Sequence, residues 1–244
     1  GELSYCTVEE YFDEKRVARE QESRVRKDPI VGGCAAQLRK PGDFVANNDT
    51  GQAILVTRGL DGKLRAFLNV CRHRTATVEL APCGSNKRAF VCPYHGWTYD
   101  LSGTVRRIPA VHGRAIPRRA KIERYATAEH AGLIWVLMDP GPGGWEDPAP
   151  LYPLPEVPWW GDPKLRTIPI KTYDWKSSPA RRIENFIDFS HFPWVHEGIL
   201  GDRAKPVSPE HVVESDETTI SFQIALEEPQ TSVKGDVAPG TKVQ

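Results

Sequence analysis

Two short stretches constrain this chain of 244 residues more than any other: Cys71-Arg72-His73 and Cys92-Pro93-Tyr94-His95. Each offers one thiol and one imidazole, one residue apart in the first stretch and two apart in the second. Eighteen residues separate His73 from Cys92, room for a strand out and a strand back. Two chemistries suit such a set. Zinc would take all four ligands in one tetrahedron. A [2Fe–2S] cluster would take two thiolates on one iron and two imidazoles on the other. Zinc modules usually pair two cysteines in a knuckle and two histidines on a helix. Here each loop carries one of each, which favours the cluster.

Cys-x-His answered by Cys-x2-His, with Gly96-Trp97 directly after, resembles the Rieske domain of Rieske non-haem iron ring-hydroxylating oxygenases. Respiratory-chain Rieske proteins carry a further cysteine in each loop and join them as a disulfide. Ala76 and Tyr94 stand in the matching region here, so the resemblance implies no such bridge. Cys83, between the loops, is read as a small buried or half-buried thiol.

Composition excludes several other readings. The formal net charge is zero, so the whole chain has no nucleic-acid footprint. The longest mainly apolar run, residues 132–138, is far too short to cross a membrane, and no signal-peptide pattern opens the sequence. Five cysteines, two of them assigned to a cluster, suggest no disulfide framework. The expected compartment is a reducing cytoplasm.

Along the chain, residues 1–30 read as a helical segment, with Thr7 and Glu10 as a capping box and Tyr11 and Phe12 packing it down. Asp28-Pro29 ends it. Residues 31–140 read as a small all-β domain. Residues 53–58 and 63–70 flank Gly59-Leu60-Asp61-Gly62 as a hairpin whose second strand delivers Cys71. Residues 88–92 deliver the second ligand loop, and a hairpin turns at Asp100-Leu101-Ser102-Gly103. Between Ser102 and Arg124 lie seven basic residues and a single acid, Glu123. This is either a solvated loop or a docking patch for an acidic electron donor. Residues 141–164 form a Pro/Gly-rich linker, with Trp145, Trp159 and Trp160 expected to pin it to a surface.

Residues 165–244 start a second domain. A strand is expected over 165–175. A helix is expected to begin at Ser178-Pro179 and to run over 181–190. On it lie Asn185, Asp188, His191 and, beyond Pro193, His196. Asp188 and His191, three apart, are expected on one helical face, and Pro193 is expected to break the helix so that His196 swings back. Two imidazoles and a carboxylate make the facial triad of non-haem Fe(II) oxygenases. Phe186, Phe189, Phe192 and Trp194 are candidates for an apolar pocket or for plain packing.

Asn-x2-Asp-x2-His-x4-His extends the resemblance to the oxygenase (α) subunit of that family. The fold it implies is α+β: an all-β Rieske [2Fe–2S] domain, then the first part of a helix-grip catalytic domain. Cys71, His73, Cys92 and His95 then hold the cluster, and His191 and His196 hold a mononuclear Fe(II). Asp188 then bridges towards a cluster histidine, His95, of a neighbouring subunit. The Asn-to-Asp spacing resembles the phthalate- and monooxygenase-like, α-only branch. That implies a homotrimer that hydroxylates or oxidatively demethylates an aromatic or polycyclic small molecule with O2. Electrons would come from an NAD(P)H-dependent flavin reductase, with or without a ferredoxin, and neither nucleic acid nor membrane is involved. The family's third iron ligand is an acid far downstream, and the 48 residues after His196 are too few to reach it. Asp202, Asp216 and Asp236 are too near, so the sequence is expected to end before that ligand. The alternative is a Rieske ferredoxin-like electron carrier with an accessory domain. A ligand-binding helix-grip module without metals is a third class, opposed by the four cluster ligands.

Overall fold

The computed structural model describes residues 7–111, 113–139, 144, 154–168, 175–177, 179–216, 219–227 and 242–243. The chain divides into two units, Gly1–Arg166 and Thr167–Gln244.

The first unit is built on a seven-stranded antiparallel sheet. Its strands are β1 (Ile30–Cys34), β2 (Phe44–Asn47), β3 (Ile54–Arg58), β4 (Leu64–Leu68), β5 (Cys83–Gly84), β9 (Arg124–His130) and β10 (Leu133–Leu137), ordered β1-β10-β9-β4-β3-β2-β5. A separate three-stranded sheet holds β6 (Ala89–Val91), β7 (Thr98–Asp100) and β8 (Val105–Arg107). The central strands are buried on both faces, which explains the unbroken apolar run Ile54-Leu55-Val56. Side chains alternate between two cores. Phe44, Leu55 and Phe67 turn towards Cys71, Phe90, Cys92 and Tyr99, while Val45, Ile54, Val56 and Ala66 turn towards Tyr125, Ile134 and Val136. The first core binds the two sheets together, and both ligand cysteines are part of it.

The hairpins stand where turn chemistry places them. Gly62, at φ +76°, donates its N–H to the Gly59 carbonyl, closing the β3–β4 turn. At the β7–β8 turn the Asp100 carboxylate accepts from the N–H groups of Ser102 and Thr104 at 2.8 and 3.0 Å. Burial would raise the Asp100 pKa, but those bonds, the Ser102 hydroxyl and Arg106 hold it below the usual carboxylate range.

Several expectations need correction. Thr7 makes no side-chain cap; a 3₁₀ turn (Val8–Tyr11) stops at Phe12, and the helix α1 (Glu14–Glu20) starts afresh with Asp13 accepting from Lys15 N–H at 2.9 Å. Phe12 is exposed and pins nothing. Cys83 is exposed as well, on the two-residue edge strand β5. The linker does touch the sheet: Trp160 lies over Gly132, and the His130 ring Nε2 meets the Pro155 carbonyl at 2.9 Å. Trp145 lies outside the described residues.

Residues 165–168, where the first unit gives way to the second, are not strand, and 169–174 and Ser178 lie outside the described residues. Helix α2 (Pro179–Ile187) opens on the proline as expected but ends three residues before Ser190. A short helix α3 (Phe192–Val195) carries Pro193 in its first turn. Pro193 thus starts a helix and does not break one, since its missing N–H is not needed there. A hairpin of β11 (Val213–Ser215) and β12 (Ile220–Phe222) follows.

Gly103 sits at φ +82°, and a Cβ there would lie 2.7 Å from the Phe67 ring; Gly62 has a similar φ but open space around it. A left-handed non-glycine residue costs on the order of 1–3 kcal/mol. Gly103→Ala should bear that cost plus displacement of Phe67 from the core, so thermal unfolding should show a distinctly lower Tm than for Gly62→Ala. Equal losses would mean that the Phe67 ring yields freely.

Candidate metal centres

The two ligand stretches fold into matching tips. In the first, Cys71 N–H bonds the Ala76 carbonyl (2.8 Å) and Thr75 N–H bonds the Cys71 carbonyl (3.0 Å). In the second, Cys92 N–H bonds the Trp97 carbonyl (2.8 Å) and Gly96 N–H bonds the Cys92 carbonyl (3.0 Å). Both turns need a left-handed residue four after the cysteine: Thr75 at φ +53° and Gly96 at φ +70°. The first tip is anchored by buried Asn69, whose side chain bonds the Glu79 N–H (3.0 Å) and carbonyl (2.9 Å).

This folding buries Cys71 and Cys92 at 2% exposure each and leaves His73 and His95 exposed, their rings 4.6 Å apart. The thiols are free and adjacent, and burial, then Cys71 beside it, pushes the Cys92 thiol up. The Tyr94 and His95 N–H groups aim at that sulfur and favour its thiolate. Desolvation, then the charges of His95 and Arg74, lower the His73 pKa, a shift towards the neutral ring that a ligand needs. Trp97 stacks on His73 at 5.1 Å and 3°. Fully buried Tyr99 places its hydroxyl 3.1 Å from Cys71 Sγ and 3.1 Å from the Arg72 N–H. Burial, then Cys71, holds the Tyr99 pKa well above the phenol range, so it remains a donor.

Among the described residues no three of His, Cys, Asp and Glu converge on a point that holds a single ion. Thiols paired inside and imidazoles paired outside fit a binuclear cluster and not one tetrahedral zinc.

The second set lies in the second unit. The rings of His191 and His196 are 5.3 Å apart, brought together by the single turn of α3, where His196 N–H bonds the Phe192 carbonyl. Asp188 lies just past the end of α2, not on a shared helical face with His191. Its contact with His191 Nδ1, at 3.2 Å, forms across the inter-helix turn. The Ser190 hydroxyl, then the Ser190 N–H and His191, hold the Asp188 carboxyl below its ordinary range, with burial opposing. With Nδ1 occupied, Nε2 is the atom left for a metal. The four candidate aromatics make different contacts. Phe189 packs on Phe192 and Phe222, whereas Phe186 lies under Arg182 and Trp194 under Arg203.

Residues 30–125 match the Rieske [2Fe-2S] domain family, and residues 175–241 match the vanillate O-demethylase oxygenase C-terminal domain. The chain belongs to the Rieske oxygenases. It is 32% identical over 188 residues to the methylxanthine N1-demethylase NdmA of Pseudomonas putida, covering 76% of this chain and 50% of that protein. It is 29% identical over 203 residues to the carnitine monooxygenase oxygenase subunit of Escherichia coli K12, covering 77% and 51%. The solved structure of NdmA from Pseudomonas putida CBB5 superposes with a TM-score of 0.63 at 27% identity, covering 83% of this chain and 60% of that one. The chain thus spans about half the length of the curated relatives it matches.

In this Rieske oxygenase chain, Tyr99, Asn69, Thr75 and the Trp97 ring escaped the sequence reading. Tyr99 had a signal: its inward phase on β7, with Thr98 facing out. Asn69 and Thr75 had none, because the first acts through a side-chain bond to Glu79 and the second through a left-handed turn back to the Cys71 carbonyl. A donor to a ligand sulfur stabilises the more negative, reduced state of a cluster. Tyr99→Phe should therefore keep the cluster and lower its reduction potential. A loss of about 1.4 kcal/mol in that preference corresponds to roughly 60 mV for a one-electron couple. A redox titration followed by EPR checks it, and an unchanged potential would show that the hydroxyl bonds only Arg72.

Proposed function

We propose that this chain is part of the terminal oxygenase component of a multicomponent Rieske oxygenase, acting by hydroxylation or oxidative demethylation of a small organic molecule. When bound, the cluster supplies one-electron storage and a mononuclear Fe(II) supplies O2 activation. Cys71 and Cys92 hold the cluster from inside and His73 and His95 from the solvent side. His191 and His196 would hold the second iron, His191 through its Nε2 because its Nδ1 faces Asp188. Asp188 holds His191 in one tautomer by accepting from Nδ1–H, which fixes the ring and raises its basicity. The observation that carries the reading is this second imidazole pair with its carboxylate, which a pure electron carrier has no use for.

The finer reading is the phthalate- and monooxygenase-like branch, supported by the vanillate O-demethylase match: an α-only homotrimer in which Asp188 lies between the two centres of adjacent subunits. A flavin reductase using NAD(P)H, directly or through a ferredoxin, would supply the electrons. The free thiols of Cys71 and Cys92 suit a reducing cytoplasm.

Metal analysis of the full-length protein tests the reading. Three irons and two sulfides per chain are expected, with a Rieske EPR signal on reduction; two irons would leave a carrier and none a binding module. Asp188→Ala should leave the Rieske spectrum intact and the cluster reducible. With substrate and O2 its cluster should then stay reduced in a single turnover, with almost no product. An iron-loaded variant that forms product near the wild-type rate would remove Asp188 from the path.

A further inference from the structure

The basic residues noted in the sequence are not spread over a loose loop. Residues 119–124 run as an anchored strip beside the β7–β8 turn: Ile122 N–H bonds the Gly103 carbonyl at 2.8 Å, Val105 N–H bonds the Ala120 carbonyl at 2.9 Å, and Lys121 bridges Thr104. Ala120 and Ile122 turn inward, which turns Arg119 and Lys121 out to solvent. With Arg65, Arg72 and Arg124 they line a cavity of about 310 Å³ whose acidic member is Glu123. Arg65 is matched by Asp61 at 2.7 Å, and Arg72 by Glu123 at 2.6 Å. Among the described residues, Arg119 and Lys121 have no acidic partner. Arg72 ties this cavity to the metal site, since it stands between Cys71 and His73 and its N–H bonds the Tyr99 hydroxyl.

We propose that this basic cavity is the docking surface on which an acidic electron-carrier protein delivers electrons to the cluster. The inference rests on the reading of Cys71, His73, Cys92 and His95 as cluster ligands. The chain as a whole has no net charge, so the positive field is local and belongs to this face. Arg107, Arg114 and Arg118, from the same stretch of chain, are exposed as well. A single phosphate would be saturated by two or three such groups, so the strip fits an extended acidic surface. Fields of this kind raise encounter rates 10- to 1,000-fold at low salt and fade as the Debye length shortens. The transfer is one electron from the reduced carrier to the cluster, with no atom or proton moved.

The test uses the full-length, cluster-loaded protein and a reduced plant-type [2Fe–2S] ferredoxin of net negative charge as the probe, a downhill donor to a Rieske centre. Stopped-flow spectroscopy gives the second-order rate of cluster reduction from about 10 to 300 mM salt, a range over which the Debye length falls from about 30 Å to below 8 Å. The wild-type rate should fall at least tenfold across that range. Arg119→Glu/Lys121→Glu should slow it at least tenfold at low salt and flatten the salt dependence. Lys15→Glu/Lys164→Glu, with the same change in charge outside the cavity, should leave it within twofold. Calorimetric affinity for the oxidised ferredoxin should fall in parallel. Photoreduced deazaflavin, which needs no docking, should reduce all variants alike. Failure to form a Rieske centre at all would sink the functional reading itself. A normal centre whose reduction ignores salt, or ignores the Arg119/Lys121 reversal, would overturn only the docking surface. So would inhibition by inorganic phosphate at constant ionic strength with the reversed variant unaffected, which would make the cavity a small-anion site.

Discussion

Two thiols must be dry and two imidazoles wet, and nearly everything in the first unit follows from that requirement. The sulfurs need donors that favour the thiolate and no competing water. The rings need a face open to whatever exchanges electrons with them. Two identical turns meet both needs, since each cysteine is bonded from the residues four and five beyond it while the histidine projects past the turn. The core then closes around the cysteines as it would around any small apolar side chain. Tyr99 joins the two roles, with its ring in the core and its hydroxyl on a ligand sulfur.

What was legible in the sequence was whatever a single residue or a fixed spacing encodes. The Asp-Gly turn, the apolar run of β3 and the cysteine–histidine spacings all describe local chemistry. The tips were readable as loops but not as twins, because Gly96 announces its left-handed backbone and Thr75 does not. The N-terminal helix was misread because two caps competed. Thr7 offered a box, but Asp13 captured the chain after Phe12 had already left helical geometry. Cys83 was misjudged because burial depends on strand order, and β5 turned out to be the sheet's edge.

The second site shows the same limit in a different form. Spacing placed Asp188 beside His191, and they do meet, but through a turn between two helices. On one helix the pair would be held by a continuous ladder of backbone bonds. Across a turn the carboxylate is held by Ser190, through its N–H at 2.9 Å and its hydroxyl. Ser190 was invisible as a contributor until the helix end was known. Likewise Pro193 marks the start of α3, so His196 reaches His191 by one regular turn and not by a swing of loosened chain.

The large sheet also ends with care. On one side β5 is two residues long, and on the other β1 carries Gly32-Gly33 and slips register between Val31 and Gly33. Neither border offers the long, even row of backbone donors and acceptors that lets one chain add a strand to another. A molecule that keeps reactive groups at an exposed tip, and that must be approached there by other proteins, is at risk of being captured along its flanks. With both flanks blunted, contact is decided by side chains at the tip, where it can be brief and reversible.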